Sequence, residues 1–331
     1  TQPSGLVFTS GKVDALLTCA VGDLGKKTSA QGKVAITSLG LRQGELALSG
    51  VDVVQTLSAS LGDFRHVTLN PSVTTVACAG KTAAELRAEG LFDLESSSGQ
   101  VKLVLAQLNQ EVLALLPPEV LGDIAVSNLK VGGDVTVTVG PKAETIAAEG
   151  KLNVDDTVVT LPGYETTPPL AVGVVYAAKM AGQTVELSAL DIQVQGGGQH
   201  VADLHVTATA PVDITKGQIN VALTSQNADL NAAQNLFKAI PAQGETPKDE
   251  PKPDDGPTTE PPPIDLGGLD LIATFAFANV TYGTMKIAPL KGRITVKDNV
   301  VKIDPLDADI NGAPLHLLST VDLGVPGYAY D

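Results

Sequence analysis

The sequence predicts an all-β, mainly antiparallel protein, an elongated array of tandem β repeats that carries two short helices. Three observations lead there. Apolar residues alternate with a period of two along most of the chain, and a self-similarity recurs at a fixed offset. Aromatic residues make up only 3% of the 331 positions, with no Trp, against a hydrophobic content of 43%. A core of Val, Leu, Ile and Ala without aromatic anchors suits thin β layers better than one thick globule.

The alternation is plainest where Val101, Leu103 and Leu105 interleave with Lys102 and Val104, and where Val135, Val137 and Val139 interleave with Thr136 and Thr138. Ile287, Ile294 and Val296 fall in similar short segments. Such runs, bounded by Gly, Asp, Asn and Pro, predict half-buried antiparallel strands joined by tight turns. Asp298-Asn299 predicts a two-residue hairpin turn. Gly196-Gly197-Gly198 and Asp155-Asp156 read as further hairpin turns.

The repeat is large. Gln31-Gly32-Lys33-Val34 matches Glu149-Gly150-Lys151-Leu152, an offset of 118 (149 − 31). Gly99-Gln100-Val101-Lys102-Leu103-Val104-Leu105 matches Gly217-Gln218-Ile219-Asn220-Val221-Ala222-Leu223 at the same offset (217 − 99). Residues 1–29 then read as a partial preceding repeat or edge strands, 30–147 as one repeat and 148–240 as a second. Residues 268–331 form a truncated third, ending in Thr320-Val321-Asp322-Leu323-Gly324.

Two stretches depart from period two. Leu105, Leu108, Val112 and Leu115 follow helical spacing up to Pro117-Pro118, so a short helix is expected near 105–116. Leu230, Ala233, Phe237 and Ile240 do the same before Pro241, which places a second near 228–240 with Asn227 or Asp229 as N-cap. Residues 241–267 are rich in Pro and acids and cannot bury enough apolar surface to offset their ordering entropy, so a disordered or extended linker is expected.

Charge narrows the function. The formal net charge is −15, with 22 basic residues against 37 acids. A nucleic-acid partner needs clustered Lys and Arg, and that class is set aside. No run of about 18 apolar residues is present to span a bilayer as a helix. No signal peptide is evident, and the chain reads as an excised fragment. Cys19 and Cys78 lack the spacing of a metal or redox motif; buried free thiols and a single disulfide both remain open.

The motif search returns look-alikes. Asp307-x-Asp309-x-Asn311-Gly312 opens like an EF-hand loop, but its twelfth position is Leu318 where a bidentate Glu is needed, so no metal site is expected. Residues 22–28 resemble a phosphate loop with the wrong glycine spacing and Lys27 in place of the required hydroxyl. His66, His200, His205 and His316 form no HExxH pair, and no GxSxG occurs. The expectation is a non-enzymatic protein without a cofactor.

Several phrases carry a family resemblance. Residues 282–324, YGTMKIAPLKGRITVKDNVVKIDPLDADINGAPLHLLSTVDLG, resemble the C-terminal repeat of AsmA-family proteins: a strand, turn residues, a hydrophobic-Asp-Pro-Leu phrase (Ile303-Asp304-Pro305-Leu306) and a small Gly-containing turn. Leu108-Asn109 and Asp229-Leu230-Asn231 resemble the family's strand-to-helix phrase, as does Ala114-Leu115-Leu116-Pro117-Pro118-Glu119. The resemblance covers most of residues 30–240 and 268–331 and rests on hydrophobic patterns with a few fixed turn residues. The family's N-terminal membrane helix is absent from this sequence.

Proteins of the wider AsmA and TamB group resemble long β-taco grooves across the envelope of diderm bacteria, implicated in phospholipid movement or outer-membrane assembly. The resemblance therefore implies that the repeats form an elongated β-groove or β-taco, with a periplasmic or envelope location, an inner-membrane anchor outside this sequence, and phospholipid or another acyl lipid as partner. The groove candidates are Val101, Leu103, Leu105, Val135, Val137, Val139, Ile219, Val221 and Leu223. Alternation alone fits equally a structural or adhesive extracytoplasmic repeat protein whose same side chains meet in a closed sandwich.

Overall fold

The computed structural model describes residues 6–43, 46–116, 122–236 and 262–331. Strand accounts for 72% of the chain, and the residues fall into two compact units, 1–162 with 168–182 and 163–167 with 183–331. The all-β, mainly antiparallel expectation holds.

In the first unit the strands are β1 (Leu6–Gly22), β2 (Lys27–Gln43), β3 (Leu46–Gly62), β4 (His66–Cys78), β5 (Lys81–Asp93), β6 (Ser98–Asn109), β7 (Ala125–Ser127), β8 (Lys130–Val139), β9 (Thr145–Thr160) and β10 (Leu170–Ala181). They pair in chain order as an antiparallel meander, β1 to β6 and then β8, β9 and β10. β7 lies in line with β8: β8 pairs residues 146–155 of β9, and β7 pairs residues 158–160. Left-handed residues Asn128 (φ 55°) and Asp156 (φ 52°) break the two strands at the same level. Asp155-Asp156 is thus an interruption inside β9 and not the hairpin turn expected.

The second unit holds β11 (Thr184–Gly196), β12 (Gln199–Pro211), β13 (Gln218–Ser225), β14 (Ala228–Asp229), helix α1 (Leu230–Leu236), β15 (Asp270–Phe277), β16 (Val280–Tyr282), β17 (Met285–Lys297), β18 (Val300–Ile310), β19 (Ala313–Asp322) and β20 (Ala329–Tyr330). The order is β11-β12-β13-β15-β17-β18-β19, with β20 folded back on the end of β19. All pairs are antiparallel except β13 with β15 and β14 with β16. A parallel pair needs a long crossover, and here it begins with β14 and α1. Asp298-Asn299 (φ 51° and 63°) and Gly197-Gly198 (φ 57° and 77°) are two-residue turns with both centres left-handed, the conformation that matches strand twist.

The 118-residue period is a period of strands. β2 and β9 begin at Lys27 and Thr145, β4 and β11 at His66 and Thr184, β5 and β12 at Lys81 and Gln199, each pair 118 apart (184 − 66). The expected boundary between 147 and 148 lies within the β8–β9 hairpin, and the units divide near residue 183.

The helix expected near 105–116 is corrected. Leu105 and Leu108 belong to β6, and only Gln110–Leu115 winds, as a 3-10 segment. A β-bulge between Leu105 and Leu108 inserts one residue. That turns a spacing of two into three and imitates helical period. The second helix is present as α1, with Asp229 as cap: its Oδ1 accepts the N–H of Asn231 (2.9 Å) and Ala232 (3.1 Å). Phe237 and Ile240, and the expected linker as far as residue 261, lie outside the described residues. Residues 262–267 are fastened: Ile264 donates to Leu323 O and Leu266 to Asn299 Oδ1.

Candidate functional site

Cross-strand register determines which side chains share a face. One row of the first unit runs Val13, Ile36, Val53, Val76, Ala84, Leu108, Val131, Val154 and Val172, one residue from each of nine strands. A parallel row runs Cys19, Ala30, Ala59, Leu69, Gly90, Val101, Val137, Ala148 and Ala178. Neither contains a charged or hydrogen-bonding side chain other than the thiol. Between these rows Leu103 faces Val135 and Leu105 faces Gly133, and beyond the second Val139 faces Ile146.

The second unit repeats the arrangement. Leu187, Ala208, Val221, Ala273, Ile294 and Ile303 form one row, and Leu190, Val206, Leu223, Phe275, Gly292, Leu306 and Leu317 another. Ile219 pairs with Leu271. The structure therefore sets each of the nine groove candidates on the apolar face of its own unit. Sequence reading missed their neighbours on β2 to β5, β18 and β19, although it picked out Ile287, Ile294 and Val296 on β17. The missed signal is spacing: Leu187/Leu190, Ile287/Leu290 and Ile303/Leu306 each flank a bulge, so three-residue gaps mark continuation of the same face.

The opposite face is polar. Arg87, Val104, Asp134 and Lys151 form one of its rows, and Glu89, Lys102, Thr136 and Glu149 another. All four histidines lie beside an aspartate: His205 Nδ1 is 2.6 Å from Asp191, His316 Nδ1 2.7 Å from Asp307, and His66 and His200 are each 3.8 Å from Asp93 and Asp203. Exposed pairs of this kind contribute little to stability. Surface depressions of about 400 and 270 Å³ also belong to this face, the first lined by Thr68, Asn70, Glu89 and Lys102, the second by Asp191, His205 and Thr224.

The apolar face is open. Among the described residues no large side chain is fully buried, and the buried apolar set is small: Val51, Cys78, Ala83, Val201, Leu236, Val280, Val296 and Ala308. Leu86, Leu152 and Val101 remain 37–40% exposed although they stand mid-sheet. A second packed sheet would have closed over them. Among the described residues each unit is covered at one end. In the first, the 3-10 segment Gln110–Leu115 contacts β4 and β5, where Cys78 and Ala83 are buried. In the second, Leu236 of α1 fits over Gly196, where any Cβ would collide with its side chain, and Val201 and Val280 are buried nearby.

Glycine and aromatic residues shape the surface between the aliphatic rows. Gly99 stands opposite Phe92, Gly150 opposite Tyr176 and Gly292 opposite Phe275, and a Cβ on each glycine would strike the facing aromatic side chain. The aromatic side chain thus lies across its neighbour and does not stand up into solvent. At the Phe92–Gly99 pair the face carries a depression of about 540 Å³, lined also by Val67, Val139 and Pro141.

Carboxylates hold the strand ends. Arg65 donates Nε and Nη2 to Asp93, and with the N–H groups of Ser96 and Glu95 this holds the Asp93 carboxyl well below the ordinary range despite some desolvation. At Asp203 burial pushes the pKa up, but the N–H groups of Asn227 and Gln226 and the Ser225 hydroxyl outweigh it and the net shift is down. Those bonds pin the kink between β13 and β14.

The other candidates have structural employment. Asp309 Oδ1 accepts the Gly312 N–H (2.6 Å), Asn311 Oδ1 accepts the Lys286 N–H, and Asp307 holds His316. These bonds make the turn between β18 and β19. Residues 22–28 form the β1–β2 turn, with Leu24 fully exposed at its tip. Cys19 and Cys78 are unpaired. Cys78 is buried and its thiol pKa is pushed up by desolvation, whereas Cys19 on β1 is exposed. No helix among the described residues is long and apolar enough to cross a membrane.

Compared with known families, curated proteins and solved structures, the chain matches none.

Proposed function

We propose that the two apolar sheet faces shield the acyl chains of phospholipid or a related lipid, as a non-enzymatic, AsmA-like component of a diderm cell envelope. The observation that carries this is the pair of uncharged rows across nine strands of the first unit, whose mid-sheet side chains stay partly exposed. Monomeric proteins rarely leave a contiguous apolar patch larger than a few hundred Å² uncovered unless something binds it. Aliphatic rows without Trp handles or charges suit a flexible acyl chain and do not specify a headgroup. The envelope location and an inner-membrane anchor beyond this sequence follow from the AsmA resemblance of residues 282–324.

The test is lipid extraction and mass spectrometry of detergent-free protein, with a photocrosslinking side chain at Leu103 or Val221. Lipid should co-purify and crosslink at both positions. Leu103→Glu and Val221→Glu should each abolish capture at their own face, with a destabilisation of no more than about 1–2 kcal/mol because the carboxylate reaches water. Absence of lipid from the wild type, with both variants unfolded, would replace the proposal with the closed structural repeat.

A further inference from the structure

In the first unit the turns β1–β2, β3–β4, β5–β6 and β8–β9 all fall at the same end of the strands. Backbone hydrogen bonds lace them together: Asp63 N–H donates to Lys26 O (2.6 Å), Leu94 N–H to Arg65 O (2.9 Å) and Lys142 N–H to Ser96 O (2.7 Å). They form a continuous rim and not four separate loops. Three of the turns carry a large apolar side chain at the tip: Leu24 is 102% exposed, Phe64 58% and Leu94 50%. Two of these residues are also left-handed, Leu24 (φ 58°) and Phe64 (φ 54°), each directly after a left-handed aspartate. Gly or Asn takes that second place at least steric cost, as Gly80 (φ 77°) does in the β4–β5 turn at the opposite end. Leu24 and Phe64 therefore combine backbone strain with exposed apolar surface, and the Phe64 ring lies only beside Gly25 of the next turn.

We propose that this rim is a membrane-docking edge that lowers Leu24, Phe64 and Leu94 into the interfacial layer of a zwitterionic phospholipid bilayer. Successive tips are two strands apart, about 10 Å, so the anchors stand in a line with no concave wall around them. A protein partner would need a matching pocket for each tip, whereas the acyl layer of a bilayer accepts all three. Charge selects the kind of bilayer. Residues 22–27, 62–66, 93–98 and 139–145 hold four Lys or Arg and five Asp or Glu, 4 − 5 = −1. Lys27 pairs with Asp23, and Arg65 with Asp93 and Glu95. So balanced a rim meets a neutral surface at little electrostatic cost, while the net charge of −15 opposes an anionic one. The four turns are described throughout, and residues 1–5, 44–45 and 117–121 connect to the opposite strand ends. The inference rests on the turns and is independent of acyl shielding by the sheet face.

The chain contains no Trp, so one introduced Trp reports its own surroundings. The experiment compares the full chain as Phe64→Trp and, at the opposite strand end, as Lys81→Trp, each titrated with phosphatidylcholine vesicles containing brominated acyl chains. Phe64→Trp should emit at long wavelength in buffer, then shift to the blue and be quenched on the vesicles. Lys81→Trp should do neither. Adding L24N/L94N to Phe64→Trp removes two anchors and should weaken vesicle binding at least about tenfold. The melting temperature should stay level or rise, because Asn suits the left-handed position of Leu24. That separates lost docking from lost folding. Vesicles of anionic phosphatidylglycerol should bind more weakly at low salt. Blue emission of Phe64→Trp already in buffer would mean that another part of the chain covers the tip, and would overturn the proposal. So would no response to vesicles, an equal response from Lys81→Trp, unchanged affinity in L24N/L94N, or tighter binding to phosphatidylglycerol.

Discussion

The same phrase is used in two contexts. Gly99-Gln100-Val101 lies near the start of β6, and Gly217-Gln218-Ile219 leads into β13, each with its apolar residues on the open face. β6 leads into the six-residue 3-10 segment and pairs antiparallel with β8. β13 enters α1 and pairs parallel with β15, whose first residue is Asp270. Alternation fixes which face a strand shows. The connection that follows fixes its neighbour's direction, because only a long crossover can bring the chain back to start at the same end. Opposite topologies therefore carry equivalent surfaces, since in both kinds of ladder the register partners lie on one side.

If the two faces are functionally equivalent, Leu103→Glu and Val221→Glu should remove lipid crosslinking from their own unit and leave the other unchanged. This is the largest effect expected. Simultaneous loss in both units from one substitution would show instead that they act as one continuous surface.

Glycines give a second contrast, inside the first unit. A Cβ at Gly150 would meet Asp134 O, the Val135 Cα and Tyr176 Oη, whereas the nearest atom to a Cβ at Gly173 is Asn153 Oδ1 at 3.8 Å. Gly150→Ala must push backbone apart and should cost roughly 2 kcal/mol. Gly173→Ala has room and should be neutral or stabilise by up to about 1 kcal/mol through the unfolded chain. Equal melting temperatures for the two variants would contradict the packing described for the Gly150–Tyr176 pair.

The fold class was legible because period two is written directly into residues such as Val135-Thr136-Val137-Thr138-Val139. The face as a whole was not, because bulges reset the phase. Leu105 and Leu108 look helical, and Ile303 and Leu306 look unrelated, until the extra residue of the bulge is counted. The parallel β13–β15 pair was equally illegible, since direction depends on a long connection whose composition carries no register. Exposure of the face was beyond sequence too: the same alternation would line a sandwich, and only Leu86, Leu152 and Val101 standing uncovered mid-sheet separates the two.

The crossover in the second unit depends on α1, and α1 depends on its cap. Asp229 satisfies the N–H groups of Asn231 and Ala232, and its pKa lies below the ordinary value through these bonds, that from Ala232 first. Asp229→Ala should cost about 1 kcal/mol, or roughly 2–4 °C in melting temperature for a unit of this size. Native-state hydrogen exchange should place the loss in the second unit, at α1 and the β14–β16 pair. Faster exchange in β6 and β8 would contradict the division into units.

The smallest effect expected is acid sensitivity, which also distinguishes the units. Asp93 and Asp203 both have folded pKa values below the unfolded value of about 3.9. Between the two values the unfolded chain binds more protons, so the stabilisation is complete above about pH 4 and is lost as pH falls through the folded values. These two groups therefore predict a flat profile from neutral pH down to about 5 and a decline below 4. The causes differ. Asp93 depends first on the exposed Arg65 guanidinium, an interaction that salt screens. Asp203 depends on backbone N–H groups and a hydroxyl in a half-buried kink, which salt hardly touches. Asp93→Asn should flatten the acid decline at low ionic strength and have little effect in 1 M salt, while Asp203→Asn should flatten it equally in both. Melting curves from pH 7 to 2.5 at the two salt concentrations provide the measurement. A decline in Asp203→Asn that varies with salt as much as that of Asp93→Asn would mean that His200, 3.8 Å away, and not the backbone of the kink, holds the Asp203 carboxylate.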